Sequence, residues 1–564
     1  MIYRQEHPKP QFERKNWQNL NGEWQFEIDN GRNGVAKGWQ REDMTFSQRI
    51  QVPFCPESKL SGIAHTDFMY GVWYKRELEI SKEQLQGLVY LHFGAVDYRT
   101  TVYVNGKECG KHVGGYVSFQ VDVTAFLREG KNTVTVYAED DTRDPLIPSG
   151  KQSSRYESHG CFYTRTTGIW QTVWAEFLPK AHIEKVKYYP SAENATLTVR
   201  ASLAGEGTLA VKAFYEGKQV GEGALYAKSG EHSLTIALSE KHLWEVGCGR
   251  LYDLELSFGE DKVYSYFGLR DIRMDGYKFL LNGKSVFQRL VLDQGFYPDG
   301  IYTAPSDEEL KADVLRSLAV GFNGARLHEK VFEERFLYHC DKLGYIVWGE
   351  YPNWGLNEKD QSSVFSILPE WIEELERDFN HPAIIGWCPF NETSTHQCDA
   401  VLRSVYEVTK GVDSTRPCID TSGYFHVKTD IYDEHDYEQD PAIFKAHFDR
   451  LLEDKNMPCK HNPGRPCPVG MPFFVSEYGG IRWTNDKEGW GYGAAPLSEE
   501  EFFTRLKGLT DALLQNPRMF AYCYTQLTDV EQEQNGIYTY DRREKFPAER
   551  FYEIFAAKAA IEEE

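Results

Sequence analysis

The sequence predicts a multidomain protein of β plus α/β class: a β-sandwich, then an immunoglobulin-like β-sandwich, then a (β/α)8 TIM barrel. Three observations predict it. From Trp17 to about residue 180 the chain holds short runs rich in Val, Thr, Tyr and Trp, with no long helical period. From 181 to 272, short strand-like runs alternate with Gly-containing turns, seven or so strands in about ninety residues. After Arg273, strand-like and helical runs alternate, eight strands in about 290 residues, the size of a (β/α)8 barrel. The expected domains are therefore 1–180, 181–272 and 273–564.

In the first domain, residues 88–104 read as two strands, Leu-Val-Tyr-Leu-His-Phe and Arg-Thr-Thr-Val-Tyr-Val. Asn105-Gly106 follows and is a strong hairpin signal. Residues 132–138 and 169–177 add further strands. In the second domain the strands are expected at 195–199, 209–215, 232–236, 251–258 and 262–268. In the third, the expected strands are 286–294, 322–328, 345–351, 384–392, 418–423, 430–437, 473–480 and 519–529. Helices are expected at 306–318 (Ser306 is a good N-cap), 332–343, 364–379, 398–412 and 499–515. The acidic end, Glu562-Glu563-Glu564, is expected to fray.

Two of these strands carry the chemistry. Gly386 to Phe390 is an apolar run that leads to Asn391-Glu392, and Phe473 to Ser476 leads to Glu477. Both glutamates fall where a barrel strand stops, the fourth and the seventh, on the face where barrel active sites lie. Two carboxyl groups facing each other across a barrel mouth can cleave a glycosidic bond. In the retaining version one protonates the leaving oxygen and the other attacks the anomeric carbon, at about 5–5.5 Å separation. The plainer reading of either glutamate alone is a solvated carboxylate; the joint placement favours catalysis. Asn391 can hydrogen-bond a sugar hydroxyl beside the reaction centre, and the Tyr478 hydroxyl can hold Glu477 ionised. Asp293 ends the first strand and can bond vicinal hydroxyls, or cap a loop. Glu350 ends the third strand in a supporting position, and Trp354 can stack on the aglycone side.

Composition bounds the partners. The chain has 564 residues, 41% hydrophobic and 26% charged, which fits a soluble globular protein with ample core. The net charge of −22 argues against nucleic acid or an anionic membrane as partner. The aromatic content of 14% fits either large β cores or sugar stacking. Eleven cysteines, without regular spacing, and an N-terminus with no apolar h-region point to a cytoplasmic enzyme with free thiols. No apolar run reaches the roughly 18 residues of a membrane helix. Cys459, His461 and Cys467 match no zinc spacing and lack a fourth ligand, so no metal or cofactor is expected.

The whole chain resembles glycoside hydrolase family 2, which includes β-galactosidases, β-glucuronidases and β-mannosidases. Asn391-Glu392 is similar to the family's acid/base signature and Ser476-Glu477-Tyr478-Gly479 to its nucleophile signature. The segment from Asn323 to His328 resembles its second-strand motif, which ends in a substrate-contacting His. Gly168-Ile169-Trp170 resembles the end of its first domain. The resemblance implies a jelly-roll, sugar-binding-like first domain, Glu392 as general acid/base and Glu477 as nucleophile. It further implies His328, His435 and Tyr437 as substrate contacts, a loop carrying Arg165 that reaches from the first domain, where Arg165 can touch substrate although a surface Arg is the plainer reading, and a homo-oligomer. There are departures. The second-strand motif continues Glu329-Lys330. Glu533-Gln534-Asn535 stands where β-glucuronidases carry an Asn-x-Lys that binds the sugar carboxylate. The usual eighth-strand Trp is absent from Tyr524-Thr525-Gln526. The expected activity is a retaining exo-glycosidase acting on an oligosaccharide or glycoside. β-Galactosidase leads, then a galactofuranosidase or α-L-arabinofuranosidase, then a β-glucuronidase. A carbohydrate-binding protein with a degenerate barrel is the non-enzyme alternative.

Overall fold

The computed structural model describes residues 2–562. Its first sandwich packs a four-stranded antiparallel sheet on a six-stranded one. Alternation drives this: in Gly22–Ile28, Trp24 and Phe26 turn inward while the residues between face out. Trp24, Phe26, Tyr74, Leu91, Phe93 and Val136 meet in one core. Asn105 (φ 52°) and Gly106 (φ 76°) join Arg99–Val104 to Lys107–Val113. Two left-handed residues in a row make the turn whose twist suits a hairpin.

The second β region has five strands rather than seven. The runs at 195–199 and 209–215 are halves of one 20-residue strand, Thr196–Tyr215, paired along its length with Lys218–Ala237. The glycines read as turns mark a bend instead. The register shifts between Leu203 and Glu206, where Gly205 takes φ 90°, and the ladder then resumes. Leu197, Val199, Leu209 and Val211, from both halves, share one core.

The barrel's parallel ladder runs Ile384–Cys388, Ile346–Glu350, Gly324–Leu327, Gln288–Asp293, Met519–Thr525, Phe473–Gly479, Tyr432–Asp436. Five of these seven are buried at every position, as strands covered on both faces must be. The expected fifth strand, 418–423, is reduced to two bridges, Trp387 to Cys418 and Asn391 to Ser422. Its sequence, Asp-Thr-Ser-Gly, supplies side-chain bonds in place of the ladder. The Asp433 carboxylate takes the Ser422 hydroxyl (2.6 Å) and the Gly423 N–H (3.1 Å) from the neighbouring strand.

The five expected helices are present, at Asp307–Ala319, Glu334–Leu343, Val364–Asp378, Asp399–Val412 and Glu499–Leu514. The Ser306 and Ser498 hydroxyls accept the N–H of Glu309 and Glu501, capping the first and last. Pro441–Phe448 and Ala548–Phe555 were not anticipated; eight residues are too few to show a helical period. At the C-terminus Glu562 pairs with Arg289 at 2.7 Å instead of fraying. Glu563 and Glu564 lie outside the described residues. No helix among the described residues is long and apolar enough to cross a membrane.

Candidate active site

Glu477 lies inside Phe473–Gly479, and Glu392 lies four residues beyond Cys388. Glu392 takes a left-handed backbone (φ 50°), an uncommon choice for a side chain with a Cβ, and one that recurs at functional sites. Its N–H is held by the Ser422 carbonyl (2.9 Å). An oxygen of Glu392, a ring nitrogen of His435 and an oxygen of Glu477 all lie within 4.8 Å of one another. His435 Nδ1 stands between the carboxylates, 2.7 Å from Glu392 Oε1 and 3.4 Å from Glu477 Oε2.

Hydrogen-bond counting fixes the Nε2 side of His435. The single Ser422 hydroxyl proton goes to Asp433 (2.6 Å), so Ser422 Oγ must accept from His435 Nε2 (3.0 Å). On the other side Nδ1 faces only carboxylate oxygens, so it donates as well. With Glu392 ionised, both nitrogens carry hydrogen and the ring is an imidazolium, so that one proton is shared across the His435–Glu392 hydrogen bond. Burial alone would lower its pKa; Glu477 and Glu392 outweigh burial and raise it. Reciprocally, burial pushes Glu392 up, but the hydrogen bond and charge of His435 pull it down to about 2.

Glu477 is gripped from two further sides. Arg326 Nη1 donates to its Oε1 (3.1 Å), and the Tyr437 hydroxyl donates to its Oε2 (2.5 Å). Arg326 is fixed by Glu350 through Nε (2.5 Å) and by the Ser476 carbonyl (2.8 Å), and it donates through Nη2 to Asn391 Oδ1 (3.1 Å). That leaves the buried Asn391 Nδ2 without a partner among the described residues, free to donate to a ligand. Glu350 also holds His328 Nδ1 (3.0 Å), which points His328 Nε2 at Glu477 (4.0 Å). Tyr437 stacks on Tyr492, with centroids 3.4 Å apart. The Trp354 indole N–H donates to the Asn391 carbonyl (3.1 Å), so that ring borders Glu392.

Three expected site residues are not brought in. The Tyr478 hydroxyl bonds Thr510 (2.9 Å) on the outer helix; strand alternation turns it away from Glu477, and Tyr437 does what was expected of it. Asp293 caps its own turn, accepting the Gly295 N–H (2.9 Å), and burial pushes its pKa up to about 6. Arg165 is buried among main-chain carbonyls, including those of Ser153 and Tyr156 (each 3.2 Å), and binds its own sandwich loop together. His461, weighed as a zinc ligand, faces the His435 carbonyl (3.0 Å).

The structure adds groups that the sequence reading missed. Tyr163, from the first sandwich, donates to Glu533 (2.6 Å), whose other oxygen accepts from Asn535 (3.2 Å). Gln526 donates to Asn535 (2.8 Å), and Gln294 donates to Gln526 (2.9 Å) and to Tyr163 (3.1 Å), which closes the ring. Gln526 of this network stands in the eighth-strand stretch where the resemblance leads one to expect a Trp. Lys151, from the same sandwich, lies over Trp354. The Glu392–His435–Glu477 cluster has the donor types of a cation site, but the Arg326 guanidinium on Glu477 and the imidazolium proton already neutralise it.

Behind Ser422, His426 sits between Asp420 (2.8 Å) and Asp433 (3.1 Å). Burial lowers its pKa, but the two carboxylates outweigh that and raise it to about 10. The folded value exceeds the unfolded one near 6.5, so the ion pairs stabilise fully below about pH 6.5, and the contribution is lost as pH rises through about 10. Urea unfolding at pH 6 and pH 10 should show the wild type losing stability, up to about 5 kcal/mol, that His426→Gln lacks at both pH values. Parallel losses in the two proteins would refute this.

The sugar binding domain of glycosyl hydrolases family 2 matches residues 17–144, and the TIM barrel domain of that family matches residues 272–479. A putative β-glucuronidase of Formosa agariphila is 30% identical over 341 residues, covering 57% of this chain and 40% of that protein. A β-galactosidase of Thermoanaerobacterium thermosulfurigenes is 24% identical over 487 residues, covering 82% of this chain and 64% of that protein. The chain thus spans less than two thirds of either relative's length. Among solved structures, a β-glucuronidase from an uncultured Clostridium sp. superposes with a TM-score of 0.80 at 21% identity, covering 97% of this chain and 99% of that one. The β-glucuronidase of Ruminococcus gnavus in complex with D-glucuronic acid gives 0.79 at 21%, covering 98% and 100%. At that identity the likeness speaks for the fold.

Proposed function

The chain belongs to glycoside hydrolase family 2, and from that premise we propose that it is a retaining exo-glycosidase in which Glu477 is the nucleophile and Glu392 the general acid/base. The observation that carries this reading is the convergence of the two carboxylates on one imidazolium, within 4.8 Å, at the separation class of retaining rather than inverting enzymes.

Glu477 attacks the anomeric carbon as the glycosidic C–O bond breaks, forming a glycosyl ester. Arg326 and Tyr437 donate to its two oxygens and keep it aimed. The acid needs a proton, and beside a charged His435 the Glu392 carboxyl is ionised at neutral pH. His435 supplies it: its Nδ1 proton is one hydrogen bond, 2.7 Å, from Glu392. It passes through Glu392 to the leaving oxygen. In the second half Glu392 takes a proton from water, the hydroxide cleaves the ester, and the proton returns to His435. One water is consumed and no other group changes state. The Asn391 amide donor is free to bond a sugar hydroxyl next to this centre.

For the terminal sugar, the sequence favours a β-galactoside. More of the relatives carry β-glucuronidase names than β-galactosidase names. The charge of Glu533 counted against a uronide. Both of its oxygens are committed to Tyr163 and Asn535, and burial raises its pKa, so that objection weakens. No feature of the pocket favours a furanoside. The substrate is read as a β-linked hexopyranoside, galactoside or glucuronide, and the converging carboxylates disfavour the pure binding-protein alternative. Proton NMR of aryl glycoside hydrolysis tests the mechanism: the β-anomer of the free sugar should appear first and mutarotate afterwards. The α-anomer appearing first would mean inversion and a different role for Glu477.

A further inference from the structure

The pocket wall contributed by the first sandwich carries an ammonium that the mechanism does not use. Lys151 is 5% exposed. Its backbone is set by Gly150, which takes φ 54° and donates to the carbonyls of Trp354 (3.0 Å) and Pro352 (3.3 Å). A Cβ on Gly150 would lie 2.4 Å from the Glu329 carbonyl oxygen, so only glycine lets the sandwich approach the barrel this closely. The Lys151 carbonyl accepts the Tyr163 N–H (2.7 Å), tying it to the residue that holds Glu533.

The side chain then reaches the pocket. Nζ sits 3.6 Å from the centroid of Trp354, whose indole N–H bonds the Asn391 carbonyl next to Glu392. Among the described residues no acceptor takes a hydrogen bond from this ammonium, and no carboxylate stands within ion-pair distance of it. A buried ammonium whose hydrogens meet no acceptor is costly to keep. Of the carboxylates around it, burial shifts Glu329 and Glu533 toward the neutral form, and Glu392 and Glu477 act on it only through their charge. Glu329 is further occupied in accepting the Trp354 N–H (3.1 Å). Glu533, Glu392 and Glu477 favour its charge from a distance, but none of them accepts a hydrogen bond from it, so the site offers a cation whose three donors, set on an aromatic base, meet no acceptor among the described residues.

We propose that Lys151 is the specificity-determining cation of the pocket, reading a carboxylate on the terminal sugar, and that hexuronides are the substrate class. The inference rests on the glycosidase reading and deepens it. The carboxylate would complete the ammonium with charge-assisted hydrogen bonds while Trp354 carries its other side. A neutral sugar would fill the same space without a charged acceptor for the ammonium's donors.

The test compares kcat/KM for nitrophenyl β-D-glucuronide and β-D-galacturonide with that for nitrophenyl β-D-galactoside. The wild type should prefer a uronide. In Lys151→Met the uronide-to-galactoside ratio should collapse roughly 100-fold or more, mostly through KM, and Lys151→Arg should keep most of the preference. In the wild type, free glucuronate should inhibit more strongly than galactose, and added salt should weaken it; this arm holds even if Lys151→Met fails to fold. A wild type that prefers the galactoside, or a ratio unmoved by Lys151→Met, overturns the assignment while leaving the glycosidase reading intact. Failure to cleave any aryl glycoside overturns the glycosidase reading itself.

Discussion

Glu477→Gln is expected to lower kcat/KM by at least about 10⁴-fold on every glycoside the wild type cleaves. The amide fills the same volume and can still meet Arg326 and Tyr437, so the fold should hold. What disappears is the lone pair that attacks the anomeric carbon, and no neighbour replaces it. Arg326 has no lone pair to give, Tyr437 is a hydrogen-bond donor here, and His435 is protonated on both nitrogens. A 2-fluoro glycoside with a good leaving group should label the wild type by one glycosyl unit, on the peptide containing Glu477, and leave the variant unlabelled. Label on another residue, or a variant within tenfold of wild type, would remove Glu477 from the nucleophile's role.

Glu392→Gln is expected to behave differently, and the difference is the test. For a substrate with a poor leaving group, such as a disaccharide, the first step should slow by about 10²–10⁴-fold. For a dinitrophenyl glycoside, whose leaving oxygen needs no proton, the first step should be nearly unchanged. The second step lacks its base, so the glycosyl-enzyme should accumulate and show as a burst. Azide, a nucleophile that needs no deprotonation, should restore turnover and give a β-glycosyl azide. An equal loss for both leaving groups would mean that Glu392 serves structure rather than proton transfer. His435 makes a companion case. Removing the imidazolium frees Glu392 from the group that holds it near 2, so His435→Asn should shift the pH profile of the first step instead of abolishing it.

The barrel was legible because its strands are apolar on both faces and so stand out as continuous runs bounded by turns. Helix starts were legible where a serine cap precedes an acidic first turn, as at Ser306 and Ser498. The fifth strand was overdrawn because Cys418 to Gly423 resembles a strand in position, while its polar side chains do the bonding. The paired runs in the second β region were split because a glycine that bends a strand and a glycine that ends one look alike in sequence.

At the site, the residues next to Glu477 in the chain misled. Tyr478 is adjacent, but a strand sends neighbours to opposite faces; the hydroxyl that meets Glu477 comes from Tyr437, forty positions away. The alternation that places Arg326 and His328 on one face could have found Arg326, which lay unremarked inside a quoted motif. Nothing local could have found Lys151 or Tyr163. Their roles depend on how the first sandwich docks on the barrel, a contact set by the close approach at Gly150.

That docking has an evolutionary reading. The two glutamates proposed as catalytic and the groups that grip them belong to the barrel, whereas Lys151 and Tyr163 arrive on a loop of another fold. On the roles proposed above, bond-breaking and sugar choice are written on separable stretches of the chain. A lineage could change its diet by altering residues 149–163 while its reaction machinery stayed fixed, and a chimaera carrying a relative's loop would be the laboratory version of that step.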